Sequence, residues 1–249
     1  MAVVTHRLPR LYVEHKLEGN SVALDERESH YLGQVLRLER GDQLVIFNGR
    51  GVERLASVEA VQRRGVLLAL AAGHEPLPES PLNLTLLQAL PKSDAMDLIV
   101  QKAAELGARA LVPVHTEFSV VKLDAERSER RLEHWRRIAQ SACEQCGRHQ
   151  PPRIEPPAPL AAALAALPGA GSRFALDPSA KQALGEQTLP VGELVVAIGP
   201  EGGFGAADWR RLDAAQFTRV ALGPRILRAE TAALAVCAIA QSRWGDLAS

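Results

Sequence analysis

The stretch "AIGPEGGFGAADW", Ala197 to Trp209, decides the fold of the second half of the chain. An apolar run ends in a Gly-Pro-Glu-Gly-Gly turn, and a segment with helical spacing begins directly after it. Strand, glycine turn and helix follow one another in this order in nucleotide-binding loops. The spacing, however, matches neither G-x-G-x-x-G nor the Gly-Lys-Ser/Thr of a phosphate loop. The pattern therefore predicts a ligand-binding turn that holds something other than a diphosphate.

The sequence around this stretch alternates between strand-like and helical patterns from residue 84 onward. The strand-like runs are "LTLLQAL", "ALVPVHT", "RFALDP", "ELVVAIGP" and "FTRVALGP". Among the helices, "SDAMDLIVQKAAELG" has Ser93 as its N-cap and Gly107 at its end, and the last helix runs from about Leu227 to Trp244. Five strands that alternate with helices predict an α/β domain with a mostly parallel sheet, covered by helices on both faces.

The first part of the chain has a different rhythm. Residues 1–72 contain short strand-like runs and turns around one helical pattern, whose apolar positions include Tyr31 and Leu38 and which Gly41 is placed to end. The Pro-rich stretch "HEPLPESPLN" follows and is typical of a linker. We therefore predict two domains, a small β-rich domain over 1–72 and the α/β domain over 73–249.

The composition limits the class of protein. The 249 residues carry a formal net charge of zero, so any binding of nucleic acid must depend on local basic patches rather than on a global field. The first residues, "MAVVTHRLPRLYV", are not typical of a signal peptide, and no apolar run approaches the roughly 18 residues of a membrane span. We expect a cytoplasmic protein without a membrane partner.

Three predicted strands end in turns that are poor in side chains: "ALDP", "IGPEGG" and "LGPRILRAET". The carboxyl ends of parallel strands share one edge of a sheet, so these turns are expected to meet there. They offer backbone amides and carbonyls flanked by Leu and Ile. That surrounding suits a flat and nearly neutral ligand such as an adenine base.

The paired motifs "IGPEGGF" and "LGPRILRAETAAL" resemble those of a known family. The chain is similar to the bacterial 16S ribosomal RNA uridine-N3 methyltransferases of the RsmE type, which belong to the SPOUT methyltransferases. The resemblance extends over nearly the whole chain. It includes "RLPRLYV", "HYLGQVLRLERGDQLVIFNG", "PKSDAMDLIVQKAAELG", "PVHTEFSVVKLD" and "HWRRIAQSACEQCGR". The family usually carries a basic residue near position 95, where this chain has Ala95.

The resemblance implies a fold, a cofactor and an assembly. It implies a PUA-like β-barrel domain, then a SPOUT-type parallel sheet whose C-terminal part forms a trefoil knot, and a homodimer. It also implies S-adenosylmethionine as the cofactor. By position, the cofactor-binding residues would be Leu176, Ile198, Gly199, Glu201, Gly202, Leu222, Gly223, Ile226, Leu227 and Thr231.

The expected chemistry indicates three catalytic candidates: Arg228, Glu230 and Glu201. Uridine N3 must lose a proton before its lone pair attacks a methyl group, so a general base or an arginine that stabilises the ring anion would accelerate the reaction. Arg228 and Glu230 also fall in the first turn of the last helix, where a purely structural role is an alternative. A base need not be present at all.

The RNA partner implied by the family, 16S ribosomal RNA or the small ribosomal subunit, would be bound by basic residues. The candidates are Arg7, Arg10, Arg37, Lys92, Arg136 and Arg148. A charge run is more often a solvated helix face, so charge alone does not establish these contacts. The C-x-x-C pair Cys143 and Cys146 lacks a second pair, so we expect packing there and no metal site.

Three alternatives to this function remain open. The chain could be a binding-only ribosome-assembly factor, although Glu201, Arg228, Glu230 and Thr231 are all present. It could be a SPOUT methyltransferase with another RNA target. It could also be a nucleotide-dependent metabolic enzyme, but that class predicts a glycine-rich loop after the first strand of the α/β domain. The sequence there is "ALPKSDAM", which contains no glycine.

Overall fold

The computed structural model describes residues 8–62, 65–71, 76–92, 95–119, 124–188 and 193–248. It divides the chain into two compact units. The first unit contains the residues up to Pro78 together with Cys143–Pro151, and the second contains Glu79–Ala142 and Pro152–Ser249. The predicted domain division at 72/73 stays a prediction, and it did not anticipate that Cys143–Pro151 belongs with the first unit.

The first unit is built on a mixed five-stranded sheet. Its strands are β1 (Arg10–Tyr12), β2 (Ser21–Ala23), β3 (Gln43–Phe47), β4 (Glu53–Gln62) and β5 (Gly65–Leu70), in the order β1-β3-β4-β5-β2. Strands β1 and β3 are parallel and the other pairs are antiparallel. Buried residues alternate with half-buried ones along β5, which places Val66, Leu68 and Leu70 in the core of this unit. The predicted β-rich character of this region is confirmed.

The predicted helix of the first unit is present but ends early. It comprises α1 (Glu26–His30), capped by Asp25, and continues as a π-helix over Tyr31–Val35. Arg37 then adopts a left-handed conformation with φ of 55°, so the chain leaves the helix four residues before Gly41. The expectation that Gly41 ends the helix was therefore wrong, because a non-glycine residue already takes the left-handed position.

The second unit contains a seven-stranded sheet in which every recorded pair is parallel. The strands are β6 (Asn83–Ala89), β7 (Ala110–His115), β8 (Arg153–Ile154), β9 (Ala158–Pro159), β10 (Ser172–Leu176), β11 (Glu193–Ile198) and β12 (Thr218–Val220). The order is β12-β10-β11-β6-β7-β8, and β9 also pairs with β7. The predicted parallel sheet is confirmed, with two short strands beyond the five that the sequence indicated.

Helices cover both faces of this sheet. They are α2 (Ala95–Glu105), α3 (Ala125–Cys146), α4 (Leu160–Ala166), α5 (Ala206–Ala214) and α6 (Ala229–Trp244), with a 3-10 turn over Leu184–Glu186. On one face, α4 and α5 pack on Leu87, Val112 and Val195. On the other face, α6 contacts β6 and β11 and packs against α2. Ser93, the predicted N-cap of α2, lies outside the described residues.

The connection between β12 and α6 positions the candidate site. Strand β12 lies at the edge of the sheet beside β10, whereas α6 packs over β11 and β6. The chain crosses between them next to the segment after β10, where Ala221 pairs with Ala183. The predicted trefoil knot stays a prediction. None of the helices within the described ranges is long and apolar enough to cross a bilayer.

Candidate active site

The turns after β10, β11 and β12 meet at one edge of the sheet and enclose a cavity. The backbone N–H of Asp177 donates to the carbonyl of Val220 over 2.9 Å, which holds two of the turns together. The cavity encloses about 680 Å³, its open mouth included, and so has the size of a small-molecule site. It is lined by Leu176, Asp177, Pro178, Ile198, Gly199, Pro200, Glu201, Gly203, Val220, Leu222, Gly223, Arg225, Ile226, Leu227, Ala229 and Ala232. The wall is therefore mainly aliphatic side chains and bare backbone.

Two glycines of these turns could not be replaced by a residue with a side chain without strain, one because of a close contact and the other because of its backbone conformation. A Cβ at Gly199 would lie 3.2 Å from the Cα and carbonyl carbon of Gly203, across the turn that a Gly203 N–H to Pro200 carbonyl bond closes. Gly223 has a φ of +84°, which L-residues with a side chain rarely adopt. Both glycines thus allow the backbone to form the cavity wall at close range.

The helix that follows the Gly-Pro-Glu-Gly-Gly turn is closed to anions at its N-terminus. The N–H of Gly205 donates to Asp208, and the N–H of Ala207 donates to Glu117 over 3.2 Å. The Asp208 oxygen that accepts from Gly205 also accepts from the N–H of Glu117, over 2.9 Å. Two carboxylates therefore occupy the place that a phosphate would need, since helix N-termini bind phosphate through these same amides. The start of this helix therefore already carries negative charge, which disfavours a diphosphate there.

Glu201 links the central turn to a neighbouring loop. Its carboxylate accepts a hydrogen bond of 2.9 Å from the backbone N–H of Lys92, which follows β6. The Glu201 side chain is exposed and lines the cavity, so its charge faces the ligand space. This hydrogen bond holds the loop after β6, which contains Lys92, against the turn that forms the rim of the cavity.

Asp177 is a second acidic residue of the wall, and its carboxylate is ionised by its partners. Burial alone would raise its pKa, but hydrogen bonds from the Ser179 N–H and hydroxyl and the charge of Arg219 outweigh burial and lower the pKa. The Arg219 guanidinium also stacks over Trp209, 4.1 Å from the ring centroid. The charge of Asp177 is therefore kept in place in a wall that is mainly aliphatic.

The catalytic candidates from the last motif lie at the start of α6. Arg228 is its N-cap residue, is exposed, and makes no side-chain hydrogen bond or ion pair with any part of the chain that the structure describes. Glu230 lies in the first turn of α6 and is half-buried. Neither residue is among the described residues that line the cavity, although their neighbours Leu227 and Ala229 are.

The structure brings most of the predicted cofactor residues together. The lining includes Leu176, Ile198, Gly199, Glu201, Leu222, Gly223, Ile226 and Leu227. Among the described lining residues, the predicted Gly202 and Thr231 do not occur. The sequence reasoning did not single out Asp177, Arg225 or Ala232. All three lie inside motifs that were recognised, so the turns were identified while these individual contacts were not. The role of each residue toward a ligand stays a prediction.

The predicted RNA-binding residues differ widely in exposure and pairing. Arg37, Lys92 and Arg136 are exposed, and Arg148 is half-buried. Arg10 is instead largely buried: its guanidinium binds both carboxylate oxygens of Glu53, at 3.1 and 2.6 Å, and the carbonyl of Arg148. Arg7 lies outside the described residues. Contact with RNA stays a prediction for all six.

The cysteines are free thiols. Cys143 and Cys237 are buried, and Cys146 is half-buried. Burial raises the pKa of the Cys237 thiol to about 12. The described residues contain no group of three or more His, Cys, Asp or Glu side chains arranged to hold a metal ion.

Comparison with known proteins assigns the family. A family model described as an RNA methyltransferase domain matches residues 78–241, and one described as an RNA methyltransferase PUA domain matches residues 24–70. The chain is 32% identical over 227 residues to the ribosomal RNA small subunit methyltransferase E of Bacillus subtilis, covering 87% of this chain and 88% of that one.

Two solved structures are similar over almost the whole chain. One is the ribosomal RNA small subunit methyltransferase E of Neisseria gonorrhoeae bound to S-adenosyl methionine, with a TM-score of 0.90 and 34% identity. The other is a methyltransferase of Legionella pneumophila in complex with its cofactor SAM, with a TM-score of 0.91 and 34% identity. Each match covers 97% of this chain and 100% of the other.

The fold and these matches define the class as an RNA methyltransferase whose catalytic domain follows a PUA domain. Within that class, the chain belongs to the ribosomal RNA small subunit methyltransferase E family. The resemblance drawn from the paired motifs is thereby confirmed, as is the predicted fold class of a parallel α/β domain after a PUA-like domain.

Proposed function

We propose that this chain transfers a methyl group from S-adenosylmethionine to N3 of a uridine in the 16S RNA of the small ribosomal subunit. The observation that carries the proposal is the single cavity formed by three side-chain-poor turns after β10, β11 and β12. Two similar structures, of Neisseria gonorrhoeae and Legionella pneumophila, hold S-adenosylmethionine. The uridine and its N3 atom rest on the family resemblance of the two C-terminal motifs.

The residues of the cavity fit this cofactor. Its aliphatic wall, which includes Leu176, Leu222 and Leu227, suits the flat face of an adenine, and the open backbone at Gly199 and Gly223 provides amides and carbonyls for its edge. The carboxylates of Asp177 and Glu201 suit the hydroxyls, the amino group and the positive sulfonium. We expect these residues to hold the cofactor.

The protein's own contribution to the reaction is to prepare the uridine. The bound cofactor supplies an electrophilic methyl group. Arg228, which has no partner within the described chain, would stabilise the negative charge that spreads onto the uridine carbonyl oxygens when N3 loses its proton. Glu230 and Glu201 are the candidates to accept that proton. The carboxylate of Glu201 already accepts the Lys92 N–H, which favours a positioning role for this residue and leaves Glu230 as the stronger candidate base.

We further propose that the enzyme acts in the cytoplasm as a homodimer. Ile226 exposes 86% of its surface at the mouth of the cavity, and a second copy of the chain would cover this apolar side chain. Light scattering of the purified protein should give twice the 26.9 kDa of one chain. A monomeric mass at micromolar concentration would rule the homodimer out.

The decisive experiment combines cofactor binding with product analysis. Calorimetry should detect binding of S-adenosylmethionine to the purified protein. Small ribosomal subunits from cells that lack the protein should gain 3-methyluridine when the purified protein and S-adenosylmethionine are added. Leu222→Asp, which places a charge in the apolar wall, should abolish both signals. The matched control Leu247→Asp changes an exposed leucine and should leave both intact. Cofactor binding without methyl transfer would support the binding-only alternative, and a product methylated at another atom would overturn the N3 assignment.

A further inference from the structure

The loops beside the cavity contain one aromatic side chain in an unusual environment. Phe118 exposes 49% of its surface. All ten aromatic residues of the chain lie in the described part, and the other nine are buried or half-buried. Single exposed apolar residues are common, so exposure alone says little. The surroundings of Phe118 carry the argument.

Phe118 lies against the same turn that forms the cavity wall. A Cβ placed on Gly202 would meet the Phe118 Cβ at 3.2 Å and two ring carbons at 3.6 Å, so the ring lies against bare backbone at this glycine. The neighbours Glu201 and Gly203 line the cavity. One side of the turn therefore faces the ligand space, and Phe118 packs on the turn between these two lining residues.

The loop that carries Phe118 is held in a fixed conformation. Thr116 and Ser119 are joined by three hydrogen bonds of 3.0–3.1 Å, between their backbones and hydroxyl groups. Between them, Glu117 is bound at both its N–H, by Asp208, and its carboxylate, by Ala207. The backbone that carries the ring is therefore already ordered before any ligand binds. Binding then costs less of the conformational freedom that an exposed loop ordinarily loses.

The sheet order shows on which side of the cavity this loop lies. The strands β11, β6 and β7 are consecutive neighbours, and their ends lead to the turn at Gly199–Gly203, the loop at Lys92 and the loop at Phe118. The cofactor cavity uses the ends of β10, β11 and β12. The ends of β6 and β7 extend the same edge beyond the cavity, where a second substrate would lie next to the cofactor.

We propose that Phe118 is a base-stacking residue, against which the target uridine or its neighbouring base packs during methyl transfer. The inference rests on the proposed function. A half-exposed ring fixed on a glycine backbone offers a flat face to a nucleobase. A base that is unstacked from its RNA finds in such a ring a replacement for the stacking it has lost.

The test compares Phe118→Leu, which keeps an apolar side chain, with Phe118→Tyr, which keeps the ring. We expect Phe118→Leu to lower kcat/KM for the ribosomal substrate by about 5- to 150-fold, which corresponds to about 1–3 kcal/mol for one lost stack. Phe118→Tyr should stay within about threefold of the unchanged protein. The Kd for S-adenosylmethionine should be the same in all three proteins, since the ring lies outside the cavity lining.

A second measurement does not depend on any variant. Small-subunit RNA that contains 5-iodouridine is irradiated in complex with the unchanged protein, and the cross-linked peptide is identified by mass spectrometry. We expect a cross-link at Phe118. A different cross-link pattern, full activity of Phe118→Leu, equal losses in both variants, or a changed oligomeric mass of Phe118→Leu would each overturn the stacking role. If the unchanged protein transfers no methyl group to any RNA, the proposed function itself fails.

Discussion

Arginine and glutamate occur both in the first unit and at the cavity of the second, but their surroundings differ. In the first unit, Arg10 and Glu53 form a two-point ion pair whose side chains are 11% and 2% exposed, and Arg10 also lies over the ring of Phe47. Next to the cavity, Arg228 is exposed and has no partner among the described residues, and in the cavity wall Glu201 uses its carboxylate to bind one backbone amide.

The difference indicates that the same residue types have a structural role in the first unit and a ligand-binding or catalytic role in the second. A buried arginine whose charge is neutralised by a carboxylate contributes to the fold, because no solvent is there to replace its partner. An exposed and unpaired arginine at a cavity keeps its hydrogen-bonding capacity for a ligand. Substitution of the buried Arg10–Glu53 pair should therefore change stability and leave methyl transfer intact, whereas substitution of Arg228 should do the opposite.

Glu53→Gln should have the largest effect, and on stability alone. It leaves the buried charge of Arg10 without its counter-ion, which costs about 3–5 kcal/mol of unfolding free energy. Thermal unfolding and hydrogen exchange at β1 and β4 would measure it. The control Glu59→Gln changes an exposed glutamate of the same strand and should be close to neutral. Equal stability of the two variants would remove the distinction between the units.

Arg228→Ala should come next, and on catalysis alone. Loss of a group that stabilises developing anionic charge lowers kcat by about 10²- to 10³-fold, or about 2.7–4 kcal/mol. Single-turnover methylation of small subunits would measure it, together with the unfolding midpoint, which should not move. Arg243→Ala, an exposed arginine in the last turn of the same helix, serves as the control. A loss of stability instead of rate would assign Arg228 to the fold.

Gly199→Ala should weaken the cofactor site by a moderate amount. The new Cβ would lie 3.2 Å from the backbone of Gly203, so the turn must shift, and overpacking of this kind costs about 1–3 kcal/mol. We expect the Kd for S-adenosylmethionine to rise by roughly tenfold in calorimetry. Gly169→Ala is the matched control, because nothing lies within 4 Å of its added Cβ. An unchanged Kd for Gly199→Ala would show that the ligand does not depend on this turn.

The smallest expected effect is a pH dependence in the first unit. Burial raises the pKa of Glu144 above its ordinary value of 4.5, although the Tyr12 N–H and the Tyr31 hydroxyl, which bind the carboxylate, act in the opposite direction. The folded state then binds the proton more tightly than the unfolded state. The contribution of Glu144 to the free energy of unfolding is therefore fully present below pH 4.5 and is lost as the pH rises through the raised pKa.

Glu144→Gln should remove this slope. The variant should be less stable than the unchanged protein in acid, and this difference in unfolding free energy should shrink as the pH rises above 4.5. Urea unfolding at a series of pH values would measure the difference. Glu129→Gln, an exposed glutamate of the same helix, should keep the slope. A difference between the Glu144→Gln variant and the unchanged protein with the opposite pH dependence would mean that the hydrogen bonds to the carboxylate outweigh its burial.

The local features of the site could be predicted from the sequence, because each depends on a short run of consecutive residues. The turns at Gly199 and Gly223 were recognisable from Gly-Pro dipeptides that end apolar runs, and the parallel sheet followed from the alternation of strands and helices. Sheet topology then places the ends of such strands at one edge without further information. For this reason most of the predicted cofactor residues line one cavity.

The remaining features depend on contacts between distant residues. Arg10 and Glu53 are 43 positions apart, and Glu117 reaches the N-terminus of α5 from the end of β7. No local pattern distinguishes an arginine that will be buried from one that will be exposed, so Arg10 and Arg136 received the same prediction. The grouping of Cys143–Pro151 with the first unit depends on long-range contacts of the same kind.

The carboxylates that close the start of α5 bear on a problem of selectivity in the cell. Any protein that recognises adenosine also encounters ATP and its relatives, which share that nucleoside and carry several negative charges. Here Asp208 and Glu117 accept from the N–H groups of Gly205 and Ala207 at the start of α5, so a polyphosphate chain would meet two carboxylates there, and Asp177 and Glu201 add negative charge to the wall. The same acidic groups are favourable toward a cationic sulfur. The acidic groups around the cavity therefore favour a cationic methyl donor over a polyanionic nucleotide that shares its adenosine.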